Sequence, residues 1–170
     1  MLLNNKIPPH LQACADVRKE TFAALMDLYE NNFLRLKKLI PHLKRAEGES
    51  VSFVVGCLDL ELSVIEQSKF TTLLTLTYSF ERKHGQVREP NLLIRVYHDV
   101  GLAEALSGEL HHGRLSLHNV PDTAIMERWH LNRFLYKWLG FSLHIGHGFD
   151  ELKNANCIKK QINTILSEKI

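Results

Sequence analysis

The sequence predicts an α+β domain: a long N-terminal helix, a five- or six-stranded antiparallel meander sheet, and a C-terminal helix packed on one sheet face. Three observations predict it. Phe22, Leu25, Tyr29, Phe33, Leu36 and Ile40 recur at steps of three and four, which lays one apolar stripe along a helix. Leu131, Phe134, Leu135, Trp138, Phe141 and Ile145 repeat the pattern near the other end. Between them, from Gly48 to Leu106, short runs alternate apolar and polar residues and are parted by turn residues, which is the period of strands. Two helical stripes and one apolar sheet face can bury one another as a two-layer sandwich.

Residues 1–14, with Pro8-Pro9, read as a loose arm ahead of a single domain at 15–148. The first helix runs from about Asp16, whose carboxylate can accept a backbone N–H as a cap, to Ile40. Pro41 stops it there, because the residue before a proline avoids helical geometry. Arg35, Lys37, Lys38, Lys44 and Arg45 crowd this end. Cations there complement the negative pole of the helix dipole; they also make a patch for a phosphate or an acidic partner.

The strands follow. Val51 to Val55 is rich in β-formers and stops at Gly56. Leu58, Leu60, Leu62 and Val64 alternate with Asp59, Glu61 and Ser63 in a half-buried strand. Thr71 to Phe80 is a third strand, and the polar run Glu81 to Gln86 is a surface loop. The central strand reaches from Leu92 to His98, and Asp99-Val100-Gly101 turns the chain. Leu102 to Leu106 returns antiparallel to it, and a short sixth strand fits around Arg114 to Leu117. Short links favour a meander over parallel crossovers. The second helix begins near Thr123 or Ile125 and reaches about Ile145, with Gly146 and Gly148 ending it. Asn154 to Ile170, inside an appended segment at 149–170, reads as a third and weaker helix. It needs a surface to lean on, either this domain or a partner, and a homodimer through it is one expectation.

At 170 residues the chain suits one core. Cys14, Cys57 and Cys157 are scattered and odd in number, which argues against a disulfide framework and fits a reducing cytosol. A net charge of +2 creates no strong field toward nucleic acid or membrane. No run approaches the ~20 apolar residues of a membrane span, and the first residues lack a signal-peptide core. A cytoplasmic location without membrane attachment is the expectation.

The chemistry centres on Leu92 to Leu106. Read with period two, Leu93, Arg95, Tyr97 and Asp99 share one strand face, and Leu92, Ile94, Val96 and His98 the other. With Glu66 from a neighbouring strand and Glu104 beyond the turn, this rib is either a structural ion-pair cluster or the floor of a site for a small anion. Glu127, Arg128 and Asn132, at the start of the last helix, could line the same cleft. His98 and Asp99 invite a general-base reading, but neighbours on a strand point to opposite faces.

The chain reads as a non-catalytic domain that binds an unknown small anionic ligand or a protein partner. The alternative is an enzyme acting on an anionic small molecule such as a phosphate or carboxylate. Arg95 would hold the anion, Tyr97 or His98 would move a proton, and Asp99 or Glu66 would be the base. A further alternative is weak nucleic-acid binding through the basic end of the first helix, which the balanced charge disfavours. No cofactor is expected, since GxGxxG and P-loop patterns are absent. No metal is expected either. His111-His112, His118, and His144 with His147 could supply ligands, but HExxH is absent and such spacings arise by chance.

Four blocks resemble a known family. They are Glu30-Asn31-Asn32-Phe33-Leu34-Arg35-Leu36-Lys37-Lys38-Leu39-Ile40-Pro41, Glu66-Gln67-Ser68-Lys69-Phe70-Thr71-Thr72-Leu73, Arg95-Val96-Tyr97-His98-Asp99 with Ala103-Glu104, and Asn132-Arg133-Phe134-Leu135-Tyr136-Lys137-Trp138-Leu139. In order and spacing they resemble the YqiB-like family of uncharacterised bacterial proteins, over roughly Leu25 to Gly146. Met126-Glu127-Arg128 departs from the family pattern by one missing acid and an arginine in place of a lysine, the loop after Pro121 is shorter, and His111-His112 is not a family feature. The resemblance implies a small cytosolic bacterial protein and no assigned reaction.

Overall fold

The computed structural model describes residues 21–83, 85–110, 113–117 and 124–150. Its elements are α1 (Phe22–Leu39), a 3-10 turn (Leu43–Arg45), β1 (Glu49–Ser52), β2 (Asp59–Gln67), β3 (Thr71–Arg82), β4 (Gly85–Tyr97), β5 (Leu102–Leu110), β6 (Gly113–Ser116) and α2 (Ile125–His144). The six strands lie side by side in chain order, and every neighbouring pair is antiparallel. The meander is therefore six-stranded, and the α+β class holds. The arm at 1–14 lies outside the described residues, as does the helix expected at 154–170. Residues 147–150 are irregular.

The core is leucine on one sheet face against leucine on the helices. Leu60, Leu74, Leu76, Leu92, Ile94 and Val96 rise from β2, β3 and β4 and are fully buried, as are Leu36 and Leu39 of α1 and Leu131, Leu135 and Leu139 of α2. Each such side chain contributes about 1.5–3 kcal/mol by leaving water. On β5 the inward positions are Ala103 and Ala105, small enough to let α1 cross close over the strand. A second cluster of Leu25, Leu28, Tyr29, Trp129 and Tyr136 ties the first half of α1 to α2 beyond this edge, with Leu102 packed against it. Phe149 enters the main core, and its N–H bonds the Leu39 carbonyl at 2.8 Å.

Several boundaries differ from expectation for local reasons. Thr21 caps α1, its Oγ1 accepting from Ala24 N–H at 3.2 Å; Asp16 lies outside the described residues. Phe22 is exposed because it sits on the first turn, ahead of the second cluster, and Phe141 is exposed on the outer side of α2. The first strand is Glu49–Ser52, not Val51 to Val55. After Ser52 the chain turns, leaving Val55 at 94% exposure. The run Glu81 to Gln86 is no open loop. Glu81 pairs Gln86 and Phe80 pairs Val87, so β3 and β4 run on as a hairpin. β5 likewise extends to Leu110 through its pairing with β6.

Candidate functional site

The predicted polar rib lies on the sheet face away from the leucine core. Register sets Glu66, Leu73, Arg95 and Glu104 in one row across four strands. Two strand spacings separate Glu66 from Arg95, about 10 Å, and no ion pair joins Arg95 to either carboxylate. Arg95 is exposed and stands beside the Tyr97 hydroxyl. The β5 end of the row is a closed network. Tyr97 donates to Glu104 Oε1 at 2.7 Å, Arg128 Nη1 lies 3.5 Å from Glu104 Oε2, and the Tyr29 hydroxyl joins both Glu104 and Arg128. Burial, then the Glu104 charge, raises the Tyr29 and Tyr97 phenols above their ordinary values. They remain donors to a single carboxylate.

The α2 candidates separate in the same way. Glu127 is exposed on the first turn of α2, where a carboxylate complements the helix dipole. Arg128 serves Glu104. Asn132 is fully buried and serves the fold: its Oδ1 accepts from Ala105 N–H at 2.8 Å, and Asn32 of α1 bonds it from the other side. Five of the nine sequence-selected residues, Arg95, Tyr97, Glu104, Arg128 and Asn132, thus surround the β5 end, and Glu127 stands exposed next to Arg128 in the chain. Glu66 stands apart beyond Leu73.

His98 and Asp99 belong elsewhere. With Val100 and Gly101 they form the β4–β5 turn, which faces the end of α1 across a cleft of about 590 Å³. Phe33 and Lys37 of α1 and the exit Pro41 to Arg45 make the opposite wall. Local chemistry explains each wall. Pro41 ends the helix, and the 3-10 turn that follows swings Lys44 and Arg45 outward while burying Leu43. Gly101 adopts φ +68°, which favours glycine, and packs on the Phe33 ring.

Among the described residues, no ion pair engages Lys37, Lys44 or Arg45. Arg35, from the same basic run, is withdrawn. Its Nη1 donates to the Tyr136 carbonyl at 2.7 Å and its guanidinium lies 3.5 Å from the Tyr136 ring centre. Lys38 does not line the cleft.

His98 is 8% exposed, and a relay of hydrogen bonds sets its tautomer. Gln67 Nε2 donates to the Lys44 carbonyl at 3.0 Å, which orients the amide with Oε1 as acceptor. Thr72 Oγ1 donates its one proton to that Oε1 at 2.7 Å. The 2.7 Å contact between Thr72 Oγ1 and His98 Nε2 must then be donated by the imidazole. Nδ1 is left as a lone-pair acceptor, buried and without a hydrogen-bond partner among the described residues. Burial and the nearby Lys44 charge lower the His98 pKa, and Asp99 opposes them weakly, so the ring is neutral near pH 7.

Sequence reasoning singled out the basic run and the His98 turn separately. It did not bring them together, nor did it assign Phe33, His42 or Val100 to a site. Among the described residues no group of three histidine, cysteine or carboxylate side chains is placed to hold a metal. His144 is exposed and His147 buried, the latter bonded through Nδ1 to Ser52 Oγ at 3.2 Å; His111, His112 and His118 lie outside the described residues. A depression of about 220 Å³ on the open sheet face carries Arg88, already paired with Glu61 at 2.9 Å.

Residues 35–148 match the family model described as "Protein of unknown function (DUF1249)". The chain is 30% identical over 130 residues to "Uncharacterized protein YqiB" of Escherichia coli (strain K12), covering 75% of this chain and 90% of that protein. The same figures hold for the protein of that name in Escherichia coli O157:H7. No solved structure matches. With the match running from the basic end of α1 to the close of the core, the chain belongs to the DUF1249 family, together with the YqiB proteins.

Proposed function

We propose that the cleft between the end of α1 and the β4–β5 turn binds a small anionic ligand, and that the domain is a binding module working in a cytosolic setting. One observation carries the reading: Lys37, Lys44 and Arg45 line a cavity of ligand size with no carboxylate bound to them among the described residues. A solvated helix end would explain Lys37, which complements the dipole of α1. It does not explain Lys44 and Arg45, which follow the helix and sit over an apolar floor of Phe33, Pro41 and Leu43. That combination suits an anion with some non-polar surface. The tyrosine and carboxylate network at Glu104 is internally paired and offers less to a ligand. No helix of the described residues is long and apolar enough to cross a membrane, and the free thiol of Cys57 is compatible with a reducing compartment.

Calorimetric titration of the full chain with inorganic phosphate, pyrophosphate and citrate tests this. At least one should bind, and replacing Lys44 and Arg45 together by glutamine should weaken it about tenfold or more, since a charge-assisted hydrogen bond is worth roughly 1.5–3 kcal/mol. Absence of heat with these three anions and with larger organic phosphates and carboxylates alike, or equal affinity in the variant, would overturn the reading.

A further inference from the structure

The two walls of the cleft differ in polarity. The α1 wall carries the cationic donors Lys37, Lys44 and Arg45, with the His42 imidazole among them. The turn wall offers acceptors. Asp99 presents a carboxylate, and His98 is nine-tenths buried with Nδ1 as its one unpartnered polar atom. The relay from Lys44 through Gln67 and Thr72 holds that nitrogen in the acceptor state. A bare anion would satisfy the first wall and be repelled by Asp99 on the second. A buried acceptor left unmatched is costly, so the wall favours a ligand that brings a donor. At about 590 Å³ the cleft also exceeds what an inorganic phosphate fills.

The geometry points to a polyhydroxylated anion, of the sugar-phosphate or sugar-acid class, as the ligand: its anionic group lies on Lys44 and Arg45, and its hydroxyls donate to Asp99 and, with a small shift of the turn that opens it to the cleft, to His98 Nδ1. This rests on the anion-binding reading above and adds the hydroxyl requirement. It also accounts for a carboxylate placed across the cleft from three cations. Phe33 and Val100 supply the apolar contact for the carbon face of such a ligand.

The test compares ligands of equal charge that differ in hydroxyls. Glucose 6-phosphate and hexyl phosphate are titrated into the full chain, with gluconate and hexanoate as the carboxylate pair. Within at least one pair the hydroxylated member should bind about tenfold tighter. In Asp99→Ala, and separately in His98→Phe, that preference should shrink severalfold while the alkyl anion binds no worse than to the parent. Asp99 is exposed, so its variant keeps the test sound if the His98 substitution disturbs folding. Equal binding within both pairs, or a preference that survives both substitutions, overturns the hydroxyl requirement and leaves the anion site standing. Failure of all four compounds and of the inorganic anions to bind overturns both.

Discussion

Asn132 stands in for a strand along the free edge of Ala105. Its Oδ1 accepts the Ala105 N–H at 2.8 Å, and its Nδ2 reaches the Ala105 carbonyl at 3.5 Å. β6 pairs β5 only from Ser107 onward, so without this amide the edge of β5 beneath α2 would be buried and unbonded. Asn132→Leu removes the partner of both the Ala105 N–H and the Ala105 carbonyl, while Asn32 Nδ2 keeps only its bond to the main-chain carbonyl of residue 132. Each buried group left unmatched costs about 1–3 kcal/mol, so we expect a loss of about 3 kcal/mol in urea unfolding. A loss below ~1 kcal/mol would mean that the edge finds other partners.

Arg35 explains a glycine in the middle of a helix. A Cβ on Gly140 would collide with the Arg35 guanidinium, which bonds the Tyr136 carbonyl and lies over its ring. In an isolated helix Gly→Ala gains about 1 kcal/mol. Here Gly140→Ala displaces a charge-assisted hydrogen bond worth roughly 1.5–3 kcal/mol and a cation–π contact worth about 0.5–1 kcal/mol. We expect a net loss of about 1–3 kcal/mol. In an Arg35→Ala background the same substitution should instead stabilise, by about 1 kcal/mol. The same sign in both backgrounds would refute the contact.

How far the sequence carried this picture depended on whether its signal was local. The stripes of α1 and α2 and the alternation of β2 and β4 follow from spacing alone, and Leu36, Leu60, Ile94 and Leu135 are buried as the periods require. The direction of the rib was not legible. Leu92 and Leu93 are equally apolar, and only tertiary packing decides that Leu92 faces the helices and Arg95 the open side. Arg35 and Lys44 looked alike in a basic run, yet one is spent on α2 and the other is free for the cleft. The meeting of Lys44 with His98 is a fact of topology. Strands β1 to β4 separate them in the chain, and no local pattern encodes the contact.

Two buried neutral histidines make stability depend on acid. Burial lowers the pKa of both His98 and His147. Unfolded, each protonates near pH 6.5; folded, each resists until lower pH. The unfolded chain therefore binds more protons below pH ~6.5, and stability falls as pH drops through that value, by up to about 1.4 kcal/mol per pH unit for each histidine. At the alkaline end the signs reverse. Burial raises Tyr29, Tyr78 and Tyr97, so their contribution is intact below pH ~10 and is lost as pH rises beyond it. Denaturant unfolding across pH should show a plateau between these limits, and His147→Asn should flatten its acid side. An unchanged acid slope in that variant would assign the proton uptake to other groups.

The relay into His98 makes a prediction independent of any ligand. Because the Lys44 carbonyl can only accept, the Gln67 amide, the Thr72 hydroxyl and the His98 ring have their donors and acceptors set in sequence. Nitrogen-15 spectra of the imidazole side chains near pH 7.5 should show His98 as the Nε2–H tautomer. Thr72→Val breaks the relay at its middle and leaves both Gln67 Oε1 and His98 Nε2 without their bond. It should cost about 1–3 kcal/mol and make the tautomer mixed. If the parent protein instead carried its proton on Nδ1, Thr72 would have to donate to the ring, Gln67 would lose its donor, and the turn would present a hydrogen-bond donor to the cleft. The preference for hydroxyl-bearing anions would then fall to Asp99 alone, and replacing His98 would leave it unchanged.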